Sequence, residues 1–160
     1  MKKRIILSLL CFMLGVSMLG CGEKESLDEY KLQMEQFFES AAAYDDAING
    51  IDYGADDYSV NLLEQLDGLD VLFSEMAQIE VPEEFEGIEE LADEASENMS
   101  SAVALYHQAY ETESYRSNVA DSAKQYYDRA NLRISYILMI LHGEVPDQEA
   151  FSAPEDYSEE

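Results

Sequence analysis

The sequence predicts an all-α protein, an up-down-up-down four-helix bundle that follows a cleaved signal peptide. Three observations lead to this prediction. The first twenty residues have the layout of an export signal, and four later segments place apolar residues every three or four positions. No segment shows the alternation and β-branched enrichment that a strand needs.

The N-terminus carries the signal. Three basic residues, Lys2, Lys3 and Arg4, precede fifteen apolar or small residues from Ile5 to Leu19. That run is shorter than the about 20 residues that a membrane-spanning helix needs, and the chain turns polar directly afterwards. We therefore expect residues 1–20 to be removed as the chain leaves the cytoplasm.

The signal ends in Ser17-Met18-Leu19-Gly20-Cys21, which resembles the lipobox of bacterial lipoproteins. Gly20 and Cys21 fit that pattern, whereas Met18 stands where leucine is usual and Leu19 where a small residue is usual. The resemblance implies that Cys21 carries diacylglycerol through a thioether and becomes the new N-terminus, a stable anchor to the membrane. The alternative is ordinary secretory cleavage, for instance after Ser17, which leaves Cys21 as a free thiol.

Cysteine and charge counts restrict the function further. Of the two cysteines, Cys11 leaves with the signal and Cys21 is consumed by the lipid, so under the lipoprotein interpretation no thiol remains for a disulfide or a cysteine metal site. A net charge of -26 excludes nucleic acid as a partner, because the chain cannot neutralise a row of phosphates. Removing residues 1–20 leaves six basic and 35 acidic residues, a net charge of -29.

The first predicted helix begins at Leu27, where Ser26 and Glu29 form a capping box. It ends at Asn49-Gly50, the residue pair of a left-handed helix stop. Its apolar face consists of Leu27, Tyr30, Met34, Phe37, Ala41, Tyr44, Ile48 and Ile51.

The second predicted helix is capped by Asp56 or Asp57 and is weakened at Gly68. The third has Pro82 at its first position, followed by acidic residues that favour the positive end of the helix dipole. The face of the second helix consists of Leu62, Leu63, Leu66, Leu69, Leu72, Phe73 and Met76, and that of the third of Phe85, Ile88, Ala92, Ala95, Met99, Ala102, Tyr106 and Ala109.

The fourth predicted helix ends at His142-Gly143, and only polar composition marks the break before it, between Tyr110 and Asn118. Four helices joined by short turns pack most simply as a bundle, and a pair of long hairpins that dimerises is the alternative, so the oligomeric state stays open. The predicted divisions are a lipidated tether at 21–26, the bundle at 27–145 and an acidic disordered tail at 146–160. The fourth face consists of Val119, Ala123, Tyr126, Ala130, Ile134, Ile137 and Leu141.

Charge is distributed unevenly along the chain. Between Lys31 and Arg116 there are 22 acidic residues and no lysine or arginine. The simplest interpretation is that the first three helices present solvated acidic faces. The alternatives are a surface that holds cations, a basic protein partner, or the general acidity of a salt-adapted organism.

One segment invites comparison with a calcium-binding loop. Counted from Asp45, it has Asn49 at position 5, Gly50 at position 6 and Asp56 at position 12, but no ligand at position 3. A helix stop followed by an N-cap aspartate explains the same residues. The sequence therefore offers this segment only as an alternative, a weak site for a divalent cation.

Motifs for other chemistry are missing. A di-iron bundle needs Glu-x-x-His, but Ala104 and Met139 stand three residues before His107 and His142. We expect His142 to act as a cation at a helix C-terminus and His107 to lie on the surface or partly buried. The chain has no nucleophile elbow and no phosphate-binding glycine loop. We therefore expect no cofactor, no metal site and no catalysis.

Eleven tyrosines either line a groove for a ligand or fill the core with their hydroxyls at its edge; they include Tyr106, Tyr110, Tyr126 and Tyr127. In overall plan the chain resembles the small helical lipoproteins of Gram-positive bacteria, which implies membrane attachment and no particular activity. We expect a lipid-anchored, extracytoplasmic, non-catalytic binding module. The alternative is a divalent-cation binder or sensor that uses the acidic faces and the segment from Asp45 to Asp56.

Overall fold

The computed structural model describes residues 22–85, 87–111 and 114–146. The predicted signal, Cys21 and residues 147–160 of the predicted tail lie outside these ranges. The described residues form four α-helices and no strand, which confirms the all-α prediction. The helices are α1 (Gly22–Asn49), α2 (Tyr58–Met76), α3 (Gly87–Tyr110) and α4 (Ser117–Leu141), with a 3-10 turn at Glu83–Phe85.

Two predicted helix starts differ from the structure. Helix α1 begins at Gly22 instead of Leu27, so residues 22–26 of the predicted tether are helical and Ser26 lies inside the helix. Glutamate and lysine, which favour helices, continue α1 in this direction. Pro82 does not begin α3: it starts the 3-10 turn, in which the N–H of Phe85 donates to the Pro82 carbonyl at 2.8 Å.

The helix ends agree better with prediction. Helix α1 ends at Asn49, but Gly50 is not left-handed, and its N–H continues the helical pattern by donating to the Asp46 carbonyl at 3.0 Å. Gly143, after α4, has a φ of 78° and so forms the predicted glycine stop. Asp57 stands at the N-cap of α2 without a capping hydrogen bond from its side chain.

Consecutive helices run antiparallel and pack together as a bundle. The middle of α1 meets late α2 where the rings of Phe37 and Phe73 stand edge to face, with their centroids 5.3 Å apart. Tyr44, later in α1, meets Gly68, earlier in α2. Late α3 meets α2 through His107 and Asp67, and early α3 meets late α4 through an ion pair between Glu94 and Arg133. The described part of the chain contains no helix long and apolar enough to cross a membrane.

The core follows the predicted faces. Every residue predicted for the face of α2 is buried except Leu72, which is half-buried. In α1 the face is deeply buried only over its first half, whereas Tyr44 and Ile48 are half-buried. No polar or charged side chain in the described ranges is buried, so the interior is apolar throughout. Its largest fully buried members are Met34, Phe73, Ile88, Met99 and Ile137.

Helices α3 and α4 approach each other more closely than the other consecutive pairs. The connection between them fixes which residues of α3 and α4 lie side by side, since the Arg116 N–H donates to the Ala109 carbonyl at 3.1 Å. Counting seven residues at a time, back from Ala109 in α3 and forward from Arg116 in α4, places alanines of the two helices at the same height along the bundle axis. All of them have 0% exposure: Ala95, Ala102 and Ala109 in α3, and Ala123 and Ala130 in α4. Small side chains at these levels permit the close approach.

Gly68 has a packing role that the sequence did not indicate. A Cβ atom at this position would overlap the ring of Tyr44 in α1. The missing side chain therefore gives the Tyr44 ring its place against α2. This contact compensates for the low helix propensity of glycine.

Candidate functional site

The two connections that join α1 to α2 and α3 to α4 lie at one end of the bundle, because consecutive helices are antiparallel. We call this end, formed by residues 50–57, 111 and 114–116 and the adjoining helix turns, the far end. The N-terminus of α1 lies at the opposite end, with the connection between α2 and α3. Helix α1 has 28 residues, so the two ends are separated by about 42 Å.

Five tyrosines form a continuous aromatic patch at the far end. The Tyr58 ring stacks on that of Tyr53 at 4.9 Å and meets the edge of Tyr110 at 6.1 Å. The centroid of the Tyr110 ring also lies 5.0 Å from that of Tyr115 and 6.5 Å from that of Tyr106. Tyr53 and Tyr115 are 80% and 58% exposed, whereas the other three are half-buried. We call these five residues the tyrosine patch.

Burial keeps the hydroxyls of the three inner tyrosines of the patch, Tyr58, Tyr106 and Tyr110, protonated at neutral pH. Burial raises the pKa of Tyr106 to about 12. Burial also raises the pKa of Tyr58 and, together with the hydroxyl of Tyr58, that of Tyr110. The inner part of the patch is therefore uncharged inside a strongly acidic protein.

No protein-family model, curated protein or solved structure matches the chain.

Beside the tyrosine patch, His107 joins two helices through both ring nitrogens. Its Nε2 lies 2.7 Å from Asp67 Oδ1 in α2, and its Nδ1 lies 2.8 Å from Glu111 Oε1. A carboxylate only accepts hydrogen bonds, so both contacts are satisfied together only when the imidazole is protonated. The hydrogen bond to Asp67, and then that to Glu111, raise the pKa of His107 above 6.5.

We expect this bridge to make stability depend on pH. The folded-state pKa of His107 is raised, so its contribution is complete below pH 6.5 and is lost as the pH rises through the folded-state value. Both carboxylates are more than half exposed, so water screens the pairs and the contribution is about 0.5–1 kcal/mol. His107→Gln should therefore destabilise the protein by this amount at pH 5.5, and by much less above pH 8, in urea unfolding.

Comparing variant with parent at each pH cancels the titration of the many other carboxylates. Asp67→Asn should remove the larger part of the same pH dependence, because Asp67 makes the hydrogen bond that raises the pKa of His107 most. NMR titration of the two histidines measures the shift directly. A His107 that titrates at or below 6.5 contradicts the bridge.

The segment from Asp45 to Asp56 is not one loop. Residues up to Asn49 are the last turns of α1, and the carboxylate of Asp45 accepts a hydrogen bond from the Tyr127 hydroxyl at 2.6 Å. That hydrogen bond connects α4 to α1. Burial raises the pKa of Tyr127, and the hydrogen bond to Asp45 raises it further. Asp52 instead accepts the Gly54 N–H at 2.9 Å. The first ligand position of the calcium-loop comparison is thus already occupied by a tyrosine.

The remaining predicted site residues are scattered. Cys21 lies outside the described residues. His142 is exposed directly after α4, and its N–H donates to the Leu138 and Met139 carbonyls. Within the described ranges, no three acidic, histidine or cysteine side chains are grouped so that they could hold a metal ion.

Sequence reasoning selected Tyr106 and Tyr110 but missed the rest of the tyrosine patch. Tyr53 and Tyr115 lie in the connections, where helical periodicity gives no information. One signal for Tyr53 and Tyr58 was present, since Tyr53 lies in the short connection between α1 and α2 and Tyr58 begins α2. The bridge from His107 to Asp67 had no sequence signal, because 40 residues separate its partners.

Proposed function

We propose that the protein is an extracytoplasmic lipoprotein, held at the membrane by lipid on Cys21, whose up-down-up-down bundle serves as a non-catalytic binding module. The observation that carries the anchor is the N-terminal sequence, in which three basic residues and an apolar run end at Gly20-Cys21. Two acyl chains on one cysteine hold a protein stably, whereas one chain gives only marginal binding.

The helix boundaries are compatible with this arrangement. Helix α1 begins at Gly22, directly after the proposed lipidation site. Lipid on Cys21 would therefore leave one end of the bundle close to the membrane and present the far end about 42 Å away. A binding role is supported by the tyrosine patch, because exposed aromatic groups are enriched in protein interfaces.

The lipid anchor is tested with the two cysteines of the chain. We expect the parent protein, expressed in a bacterium that processes lipoproteins, to enter the detergent phase of Triton X-114 and to incorporate an alkyne fatty acid. Cys21→Ser should move it to the aqueous phase and abolish labelling. Cys11→Ser is the matched control, since Cys11 leaves with the signal, and this variant should behave as the parent.

Two results would overturn the anchor. If the Cys21→Ser variant stays in the detergent phase, another segment of the chain attaches the protein to the membrane. A mature N-terminus at Met18, measured by mass spectrometry, would indicate ordinary secretory cleavage after Ser17.

The second candidate function is weak binding of a divalent cation by the acidic faces and the segment from Asp45 to Asp56. It predicts that millimolar calcium raises the melting temperature more than sodium at matched ionic strength. Asp45→Asn should then reduce that gain. Because the Tyr127 hydroxyl already donates to Asp45, we expect calcium and sodium to raise the melting temperature equally. Equal increases would mean that both salts only screen the repulsion between carboxylates.

A further inference from the structure

The tyrosine patch exposes more aromatic surface than the fold requires. The rings of Tyr53 and Tyr115 lie at the two ends of the patch and are mostly open to solvent. Between them, Tyr58 and Tyr110 are in contact with each other, so the patch continues across the far end from one connection to the other. The fold needs the inner tyrosines for packing, but the two outer rings contribute little buried area.

The charges around the patch are negative. The connection between α1 and α2 contributes three exposed aspartates, Asp52, Asp56 and Asp57, and Glu111 is exposed at the end of α3. The basic groups described near the patch are Arg116, next to Tyr115, and the imidazole of His107, which pairs with Asp67 and Glu111. Carboxylates and the negative faces of aromatic rings both attract cations.

Most basic side chains of the described helices are engaged elsewhere. Lys124 pairs with Asp128, and Arg133 pairs with Glu94. Lys31 lies over the Phe85 ring at 5.7 Å, and Arg129 lies over the Tyr126 ring at 5.1 Å. The protein thus already uses cation–π contacts within the fold, whereas no cation–π contact involves the two outer tyrosines, which are mostly exposed, among the described residues.

We propose that the tyrosine patch docks a basic segment of a partner protein, with arginine or lysine side chains laid over the rings of Tyr53 and Tyr115. The aspartates of the connection between α1 and α2 surround the bound cations. This inference rests on the proposed function, because it names the partner class of the binding module. A second copy of the chain is disfavoured as the occupant, since each copy carries a net charge of -26.

Defined peptides test the proposal on the purified full chain. Hexa-arginine is the probe, and a glycine–serine hexapeptide, hexaglutamate and a chitin tetrasaccharide are the comparisons. Binding is measured by calorimetry and by NMR, at about 0.02 M and about 0.15 M salt. We expect hexa-arginine to bind, to weaken with salt and to shift the resonances of the tyrosine patch, whereas the three comparison ligands do not bind.

Substitutions separate binding at the patch from general attraction to an acidic protein. The double variant Tyr53→Ala with Tyr115→Ala should lose about fivefold to tenfold in affinity. Phenylalanine at both positions should retain the parent affinity, because the ring face carries the contact. Tyr126→Ala is the control, since the Tyr126 ring is already covered by Arg129, and it should leave the affinity unchanged. Both outer tyrosines are exposed, so circular dichroism should find all variants folded.

Several outcomes would overturn the proposal. They are no binding of hexa-arginine, equal affinity in the double alanine variant, or an equal loss in the Tyr126 control. Binding of the tetrasaccharide instead, with loss in the phenylalanine variant, would assign the patch to a glycan. Sedimentation that shows self-association lost in the double alanine variant would assign it to a second copy. The lipid anchor is tested separately with Cys21→Ser, which should not change the affinity for the peptide. Failure of the anchor proposal can therefore be distinguished from failure of the docking proposal.

Discussion

Phe37→Ala is expected to lower the free energy of unfolding by about 3–5 kcal/mol. The ring of Phe37 is 3% exposed and stands edge to face with Phe73, which is 1% exposed. Truncation removes this contact between α1 and α2 and leaves a cavity among hydrophobic side chains. Urea unfolding followed by circular dichroism measures the change.

Leu32→Ala is the matched control for this substitution. Leu32 lies in the same helix but is 54% exposed, so its truncation should change the stability by less than about 0.5 kcal/mol. A loss below about 1 kcal/mol for Phe37→Ala would mean that the apolar face of α1 is assigned to the wrong side.

Ala102→Leu is expected to destabilise the protein by about 1–3 kcal/mol, although leucine is a good helix former and more apolar than alanine. Ala102 has 0% exposure and lies level with Ala123 at the closest approach of two helices. A leucine there forces α3 and α4 apart along their length. Because α3 also carries Tyr106 and Tyr110, we expect the NMR resonances of the tyrosine patch to shift in the same variant.

Ala104→Leu isolates the packing effect. Ala104 lies two residues further along α3 and is exposed, so the same substitution should change stability by no more than about 0.5 kcal/mol. If Ala102→Leu is tolerated equally well, the close approach of α3 and α4 is not present in solution.

The helices were predictable from the sequence because the information for each is local. Apolar residues three or four positions apart identified the buried faces, and glycine after His142 identified the end of α4. Errors came where two local signals competed. Ser26 with Glu29 is a valid capping box, but the helix-forming residues before it extend α1 to Gly22. Proline is suited both to the first position of an α-helix and to the start of a 3-10 turn, and Pro82 starts a 3-10 turn.

The far end was only partly predictable. Periodicity places Tyr106 and Tyr110 on α3, but gives no position for Tyr53 or Tyr115 in the connections. Similarly, Asp45 was compared with a calcium ligand on the basis of its spacing to Asn49 and Asp56. Its hydrogen bond to Tyr127 depends on the meeting of α1 and α4, which lie 82 residues apart in sequence at this point.

Local patterns were enough to predict the all-α class, most of the four buried faces and the concentration of negative charge between Lys31 and Arg116. They also supplied the signal and the cysteine from which the membrane anchor is proposed. The packing of the helices was needed to find that alanines bring α3 and α4 close together, that Gly68 makes room for Tyr44, and that five tyrosines meet at the far end. The physical reason is that helix formation and burial depend on neighbours within one or two turns, whereas these contacts depend on which helix faces which and at what level.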